Sequence, residues 1–169
     1  MLIFEYQSPC GRLLLGVSGK FLCICDWMIA GRIEKTLRRI KKRLELGNAE
    51  DSREILSLAI RQLDEYFAGT RQIFDIPLKP LGTDFQCEVW RRLQAVAYGA
   101  TTSYKAIAAA TGSPQSVRAV SNAIGANALS IFIPCHRIIA SDGTPGGYAG
   151  GLDAKEFLIS LEKTYLNRK

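Results

Sequence analysis

Cys135 stands directly after Pro134 and directly before His136, the only histidine among 169 residues. The pair is reached through the apolar run Ile131-Phe132-Ile133 and is followed by Arg137 and the loop Ser141-Asp142-Gly143. Thiolates, not thiols, are the nucleophiles, and an adjacent imidazole is the commonest way to make one near neutral pH. The plain structural reading stands beside this one, because cysteine is among the most buried residue types and a single Cys/His pair is a candidate only. A zinc site is not expected. Cys23 and Cys25 are one residue apart instead of at Cys-x-x-Cys spacing, and the lone histidine belongs to the central motif. An odd set of five cysteines (Cys10, Cys23, Cys25, Cys87, Cys135) fits reduced thiols in the cytoplasm.

The elements that must position this motif fall into two groups. Residues 2–28 hold three short apolar runs, Leu2–Phe4, Leu13–Val17 and Phe21–Cys25, punctuated by Ser8-Pro9, Gly11 and Ser18-Gly19. They read as strands, the last two joined in a hairpin. Ile33, Leu37, Ile40 and Leu44 recur at helical spacing, predicting a basic helix over 32–45 whose other face carries Lys35, Arg38, Arg39, Lys41, Lys42 and Arg43. Periodicity alone accounts for those charges as a solvated face, and a nucleic-acid patch is the alternative. Asp51-Ser52 caps a second helix carrying Ile55, Ala59, Leu63 and Phe67, ended by Gly69. Phe74–Leu81 alternates and holds two prolines, the pattern of an edge strand running into a linker.

Beyond Gly82 helices take over. Thr83 or Asp84 caps one with Phe85, Val89, Leu93 and Val96 on a face and Trp90 beside it. Ser103 caps another, which stops at Thr111-Gly112. Ser113 opens a third, with Val117, Val120 and Ile124 facing inward. Two short helices about a glycine-containing turn form a helix-turn-helix candidate. On its second helix Ser116, Val117, Ala119, Ser121, Asn122 and Ala123 are small, and Arg118 is the one long side chain. Small residues let a backbone come close, which suits a minor groove; helix packing explains the alanines equally well but not the arginine. The glycines at 143, 146–147 and 150–151 lack the lysine of a P-loop, so a close backbone approach to something flat is the better reading. Leu152 to Leu161 is expected to be helical, with Phe157 and Leu161 inward and Glu162 at its end.

The expected fold is α+β: a small mixed α/β domain over 1–79, then a mostly helical, winged-helix-like domain with a helix-turn-helix over 80–169. Hydrophobic content of 47% and charged content of 22% describe a folded soluble protein. The first seventeen residues contain Glu5 and Arg12, so no signal peptide is read, and no run reaches transmembrane length. A formal charge of +6 favours polyanionic partners.

Taken together, Gly82-Thr83-Asp84-Phe85-Gln86, Val89-Trp90, Ser103-Tyr104, Val117-Arg118-Ala119-Val120, Asn127, Ile133-Pro134-Cys135-His136-Arg137, Gly147-Tyr148-Ala149-Gly150-Gly151 and Lys155-Glu156 resemble the O6-alkylguanine-DNA alkyltransferases. The motifs run in order, with fitting spacings, from about residue 82 to 163. The first 80 residues resemble the family's variable amino-terminal domain loosely, mainly in strand order and in Gln62–Phe67. The resemblance implies that Cys135 accepts the alkyl group, that His136 draws off its proton through a water, and that Glu162 orients His136. It implies that Asn127 holds the end of the recognition helix against the active-site turn. Tyr104 would donate to a flipped guanine, Arg118 would fill the gap in the stack, and Tyr148 and Ala149 would line the base pocket. DNA contacts would come from Ser103, Lys105, Val117, Arg118, Ala119 and Ser121. The implied partner is double-stranded DNA containing alkylated guanine, bound by a monomer with no cofactor, no metal and no membrane.

Two departures from the family pattern stand out. Ala149 occupies a position where some members have a serine hydroxyl, leaving only a backbone N–H there, and Ala128 replaces a frequent proline after Asn127. Rival classes remain separable. A cysteine hydrolase would turn over and need not bind DNA, and a helix-turn-helix regulator would not need Cys135.

Overall fold

The computed structural model describes residues 1–44 and 47–166. The chain divides into two compact units, Met1–Leu81 and Gly82–Lys169. In the first, Leu2–Ser8 (β1), Gly11–Ser18 (β2) and Phe21–Trp27 (β3) form an antiparallel sheet in the order β1-β2-β3. The expected hairpin at Ser18-Gly19 is present, pairing Ser18 with Phe21. Leu13, Leu15, Val17, Leu22, Ile24 and Cys25 are all fully buried, so the central strands supply the core. Phe74–Leu81 contributes one parallel bridge, Leu22 to Leu78, instead of a full strand.

Two helices complete this unit, and their ends differ from the expected ones. Arg32–Lys41 (α1) stops well before Gly47; Leu44 lies outside it, and Glu45, the last residue of the expected helix, lies outside the described residues. Repulsion among successive cations at i, i+3 and i, i+4 explains the early stop. Ala49–Phe67 (α2) is capped by Asn48, whose side chain accepts from the Glu50 N–H, so Asp51 and Ser52 lie in the first turn instead of at the cap. Asn is as good a cap as Asp or Ser, and it comes first. The buried residues of α2 are Ser52, Ala59, Gln62, Leu63 and Tyr66.

The second unit is built from Asp84–Gln94 (α3), Thr102–Ser103 (β4), Tyr104–Ala110 (α4), Val117–Gly125 (α5), a 3₁₀ turn over Cys135–Arg137, Ile138–Ile139 (β5) and Leu152–Leu166 (α6). Thr83 caps α3 in a reciprocal capping box with Gln86. Trp90 donates from its indole N–H to the Ala123 carbonyl (2.8 Å), fastening α3 to α5. Ser103 caps α4 by accepting from the Ala106 N–H, and Gly112, at φ 70, turns the chain. Residues 113–116 form a turn, so α5 opens after Ser116, not at Ser113. A parallel ladder pairs Thr102 with Ile138 and Ser103 with Ile139. It ties the start of the helix-turn-helix to the strand that leaves the 3₁₀ turn. No described helix is long and apolar enough to cross a membrane.

The inward face of α6 also differs. Ala154, Lys155, Leu158 and Glu162 are buried, whereas Phe157 and Leu161 are half-buried, and the helix runs a turn beyond Glu162. Two polar side chains have claimed positions that hydrophobicity alone assigns elsewhere.

Candidate active site

The site is assembled on the segment from Asn127 to Ile139, where every residue but the last is buried. Ile131 enters it at φ 73, a left-handed conformation that a β-branched residue adopts only under constraint, at a cost of about 1–3 kcal/mol. Ile131 is 1% exposed, and the packing around it holds the bend that brings Cys135 round.

Asn127 follows the C-terminal cap of α5 and reaches across that bend. Its Oδ1 accepts from the Leu129 N–H (3.0 Å), which fixes the amide's orientation. Its Nδ2 then donates to the Ile133 carbonyl (3.0 Å) and to Cys135 Sγ (3.2 Å). One amide thus joins the end of α5, the bend and the sulfur.

His136 is fully buried, and its Nε2 lies 2.7 Å from Glu162 Oε1. Glu162 is a four-donor hub: Arg137 donates from Nε to Oε2 and from Nη2 to Oε1 (both 2.9 Å), and the Gly99 N–H donates to Oε2 (2.9 Å). Arg137 also donates to the Val96 carbonyl (2.6 Å). Burial alone would push Glu162 up, but its hydrogen bonds from His136 and Arg137 and the Arg137 charge outweigh that and hold it at about 2. Burial pushes His136 below its ordinary value, more than Glu162 pulls it up. The two requirements are compatible, since Arg137 already supplies Glu162's counter-charge. His136 is therefore neutral beside an ionised carboxylate. An ionised carboxylate only accepts, so Nε2 carries the hydrogen and Nδ1 keeps its lone pair. Among the described residues, Nδ1 has no hydrogen-bond partner. The result is a buried, oriented base next to a buried thiol.

Lys155 is a site residue to which sequence reasoning attached no role. It is fully buried, donating from Nζ to the Ile138 carbonyl (2.5 Å) and to the Pro145 carbonyl. Burial pulls it down to about 8, opposed by its interaction with Cys135. Its signal in the sequence was a lysine sharing a helix face with Leu158 and Glu162. Lys155→Met orphans both carbonyls at about 1–3 kcal/mol each. The ammonium's burial cost disappears at the same time, so a net loss of about 2 kcal/mol is expected in urea unfolding. An unchanged midpoint would mean that the clamp adds nothing.

Around this centre the remaining predicted residues take different places. The glycine-rich loop packs on the ring of Tyr104: a Cβ at Gly146 (φ 65) would lie 3.1 Å from it. The flat partner of the glycine backbone is thus internal. The Tyr104 hydroxyl donates to the Gly147 carbonyl (3.2 Å), and burial raises its pKa. Tyr148 meets the His136 ring edge-on at 6.4 Å between centroids, and Ala149 is half-buried beside it. Arg118, Ala119 and Ser121 are exposed on α5, Val117 is half-buried, Ser103 caps α4, and Lys105 is exposed on α4. Among the described residues no cluster of three or more His, Cys, Asp or Glu side chains could hold a metal.

Residues 3–80 match the ribonuclease-like domain, and residues 84–164 the DNA binding domain, of 6-O-methylguanine DNA methyltransferase. The chain is 47% identical to the constitutive methylated-DNA–protein-cysteine methyltransferase of Bacillus subtilis, covering 96% of both chains. It is 42% identical to the methylated-DNA–protein-cysteine methyltransferase of Methanosarcina barkeri, covering 95% of this chain and 96% of the relative. A Mycobacterium tuberculosis crystal structure of the family in complex with DNA superposes with a TM-score of 0.77 at 35% identity, over 95% of this chain and 92% of that one. The chain belongs to the 6-O-methylguanine DNA methyltransferase family.

Proposed function

We propose that this chain repairs DNA by moving the alkyl group of an O6-alkylguanine onto Cys135, once per molecule, after drawing the base out of the duplex through the minor groove. The carrying observation is the Glu162–His136 pair beside an Asn127-held sulfur, on a chain whose relatives are named for transfer to a protein cysteine. His136 Nδ1 takes the thiol proton, through a water, and Glu162 offsets the imidazolium that results. The sulfur attacks the alkyl carbon, a carbon–sulfur bond forms, and the carbon–oxygen bond breaks with its electron pair going to the guanine oxygen. Tyr104, released from Gly147, donates to the departing base, the role of a preorganised donor. The Ala149 N–H, without a serine hydroxyl, completes the pocket with Tyr148. The product is a thioether that nothing in this site can cleave. The protein acts as a monomer on double-stranded DNA, without cofactor or metal, in a reducing cytoplasm that suits an odd set of five cysteines.

The test is intact mass after incubation with methylated duplex, followed by peptide mapping. One added methyl on the peptide containing Cys135 is expected; repeated turnover with an unmodified protein would favour a hydrolase.

Extrusion and chemistry separate at Arg118. It is exposed on α5 and is the one charged side chain of that helix, set among small residues. Arg118→Ala leaves the vacated stack unfilled, at about 2 kcal/mol of the few that extrusion costs. Transfer from duplex then slows roughly thirtyfold at 1.36 kcal/mol per decade. Transfer from free O6-benzylguanine, which needs no extrusion, stays unchanged. Equal slowing on both substrates would assign Arg118 to the pocket or the fold.

A further inference from the structure

The chain's charge surplus does not sit on the recognition helix. Positions 32–43 hold seven of the 22 basic residues and one of the 16 acidic ones, a surplus equal to the whole chain's +6. The remaining 15 basic and 15 acidic residues cancel. Within the first unit the contrast is sharper, since outside this segment it carries six basic and nine acidic residues.

An ordinary solvated helix face mixes signs, and opposite charges at i, i+4 support it. Within 32–43 one pair at that spacing attracts, Glu34 with Arg38, whereas three repel: Lys35 with Arg39, Arg38 with Lys42, Arg39 with Arg43. Arg32 is engaged by the buried Asp26 (2.8 Å), but no ion pair is formed by Lys35, Arg38, Lys41, Lys42 or Arg43 among the described residues. All five are exposed. The helix dipole welcomes cations in the last turn only, and Lys35 lies in the first. Nor is α1 a strong helix otherwise. It has ten residues, two of them buried, and no side-chain bond at its start. The sequence thus keeps a run of like charges that weakens its own helix.

We propose that the exposed face of α1 is a second, sequence-independent contact for the phosphate backbone of duplex DNA, separate from the helix-turn-helix. The proposal rests on the DNA-repair reading above. Charge complementarity selects the partner: Lys35, Arg38, Lys41 and Lys42 stand at successive i+3, i+4 steps, a row of cations that a row of phosphates can neutralise with release of counterions. Such a contact lets the protein stay on undamaged DNA while the second unit searches for a lesion.

The experiment measures affinity for undamaged duplex against salt concentration, using fluorescence anisotropy. The quadruple variant Lys35→Gln, Arg38→Gln, Lys41→Gln, Lys42→Gln is compared with wild type. A control variant removes four exposed charges elsewhere in the first unit, at Arg12, Lys20, Arg53 and Arg61, also to Gln. Each lost phosphate contact lowers the log–log slope by about 0.9, so a fall of about 2 to 4 is expected for the α1 variant, with little change in the control. Transfer from free O6-benzylguanine should match wild type in both, and the melting temperature of the α1 variant should not drop. An unchanged slope, or equal falls in both variants, overturns the proposal. So does a variant that keeps the duplex slope but loses binding to phosphatidylserine vesicles, which would assign the face to a membrane surface. Failure of the repair reading looks different, because wild type itself would then leave Cys135 unalkylated.

Discussion

Cys135→Ala abolishes transfer to below detection while leaving duplex binding within a few-fold of wild type. The substitution removes the proposed alkyl acceptor, the sulfur that takes a hydrogen bond from the Asn127 amide. The exposed residues of α5 that face DNA in the proposed reading are untouched. Stability should fall little. Asn127 Nδ2 keeps the Ile133 carbonyl as acceptor for one hydrogen and loses only a weak sulfur acceptor for the other, and one heavy atom leaves the core, worth about 1 kcal/mol. Intact mass after exposure to methylated duplex, with anisotropy on the same oligonucleotide, reads both quantities. Residual alkylation of the variant would move the acceptor to another residue and overturn the site.

Glu162→Gln should slow transfer by about 10²–10⁴-fold and destabilise the fold by about 3–5 kcal/mol. Both effects come from one lost charge. The buried Arg137 loses its bidentate carboxylate, and a glutamine amide can donate to His136 Nε2, which moves the imidazole hydrogen to Nδ1 and removes the base. The pH dependence of stability separates this from a general loosening. In the folded chain Glu162 stays ionised down to about pH 2, whereas an unfolded glutamate takes its proton near 4.5. Its contribution is therefore complete above pH 4.5 and is lost as pH falls toward 2, on the order of 3 kcal/mol at 1.36 kcal/mol per pKa unit. His136 acts in the same direction at higher pH. Its folded value lies below the ordinary 6.5, so the unfolded chain takes up the proton first and stability declines as pH falls through 6.5. Urea midpoints of wild type against pH should decline in both windows. In Glu162→Gln the lower window should flatten. Parallel acid losses in the two proteins would remove Glu162 from the account.

The strands, the hairpin and the caps at Thr83 and Ser103 were legible because they rest on local signals: alternation, turn residues and capping side chains. Cys135, His136 and Asn127 were legible as a cluster because the motif and its family resemblance keep them within ten residues. The face of α6 was not. Phe157 and Leu161 look like the inward residues on hydrophobicity, yet the helix is turned so that Lys155 and Glu162 point in. Their partners are the Ile138 and Pro145 carbonyls, Arg137, His136 and the Gly99 N–H, all brought near only by the tertiary fold. A buried charge leaves no periodic trace in a sequence, since the residue that satisfies it is elsewhere in the chain. The early end of α1 was hidden for a different reason: apolar spacing continued to Leu44, and repulsion between neighbouring cations does not register in an apolar pattern.

Cys135 is 4% exposed. In the proposed reading the protein is consumed by a single event, so nearly all of its existence is spent idle, and the survival of the sulfur through that interval counts as much as its reactivity at the end. Peroxides and electrophilic metabolites reach thiols in proportion to their access. The enclosure formed by the bend at Ile131, the Asn127 amide and the 3₁₀ turn therefore gives the protein a shelf life: molecules made long before an injury still carry an intact acceptor when it arrives.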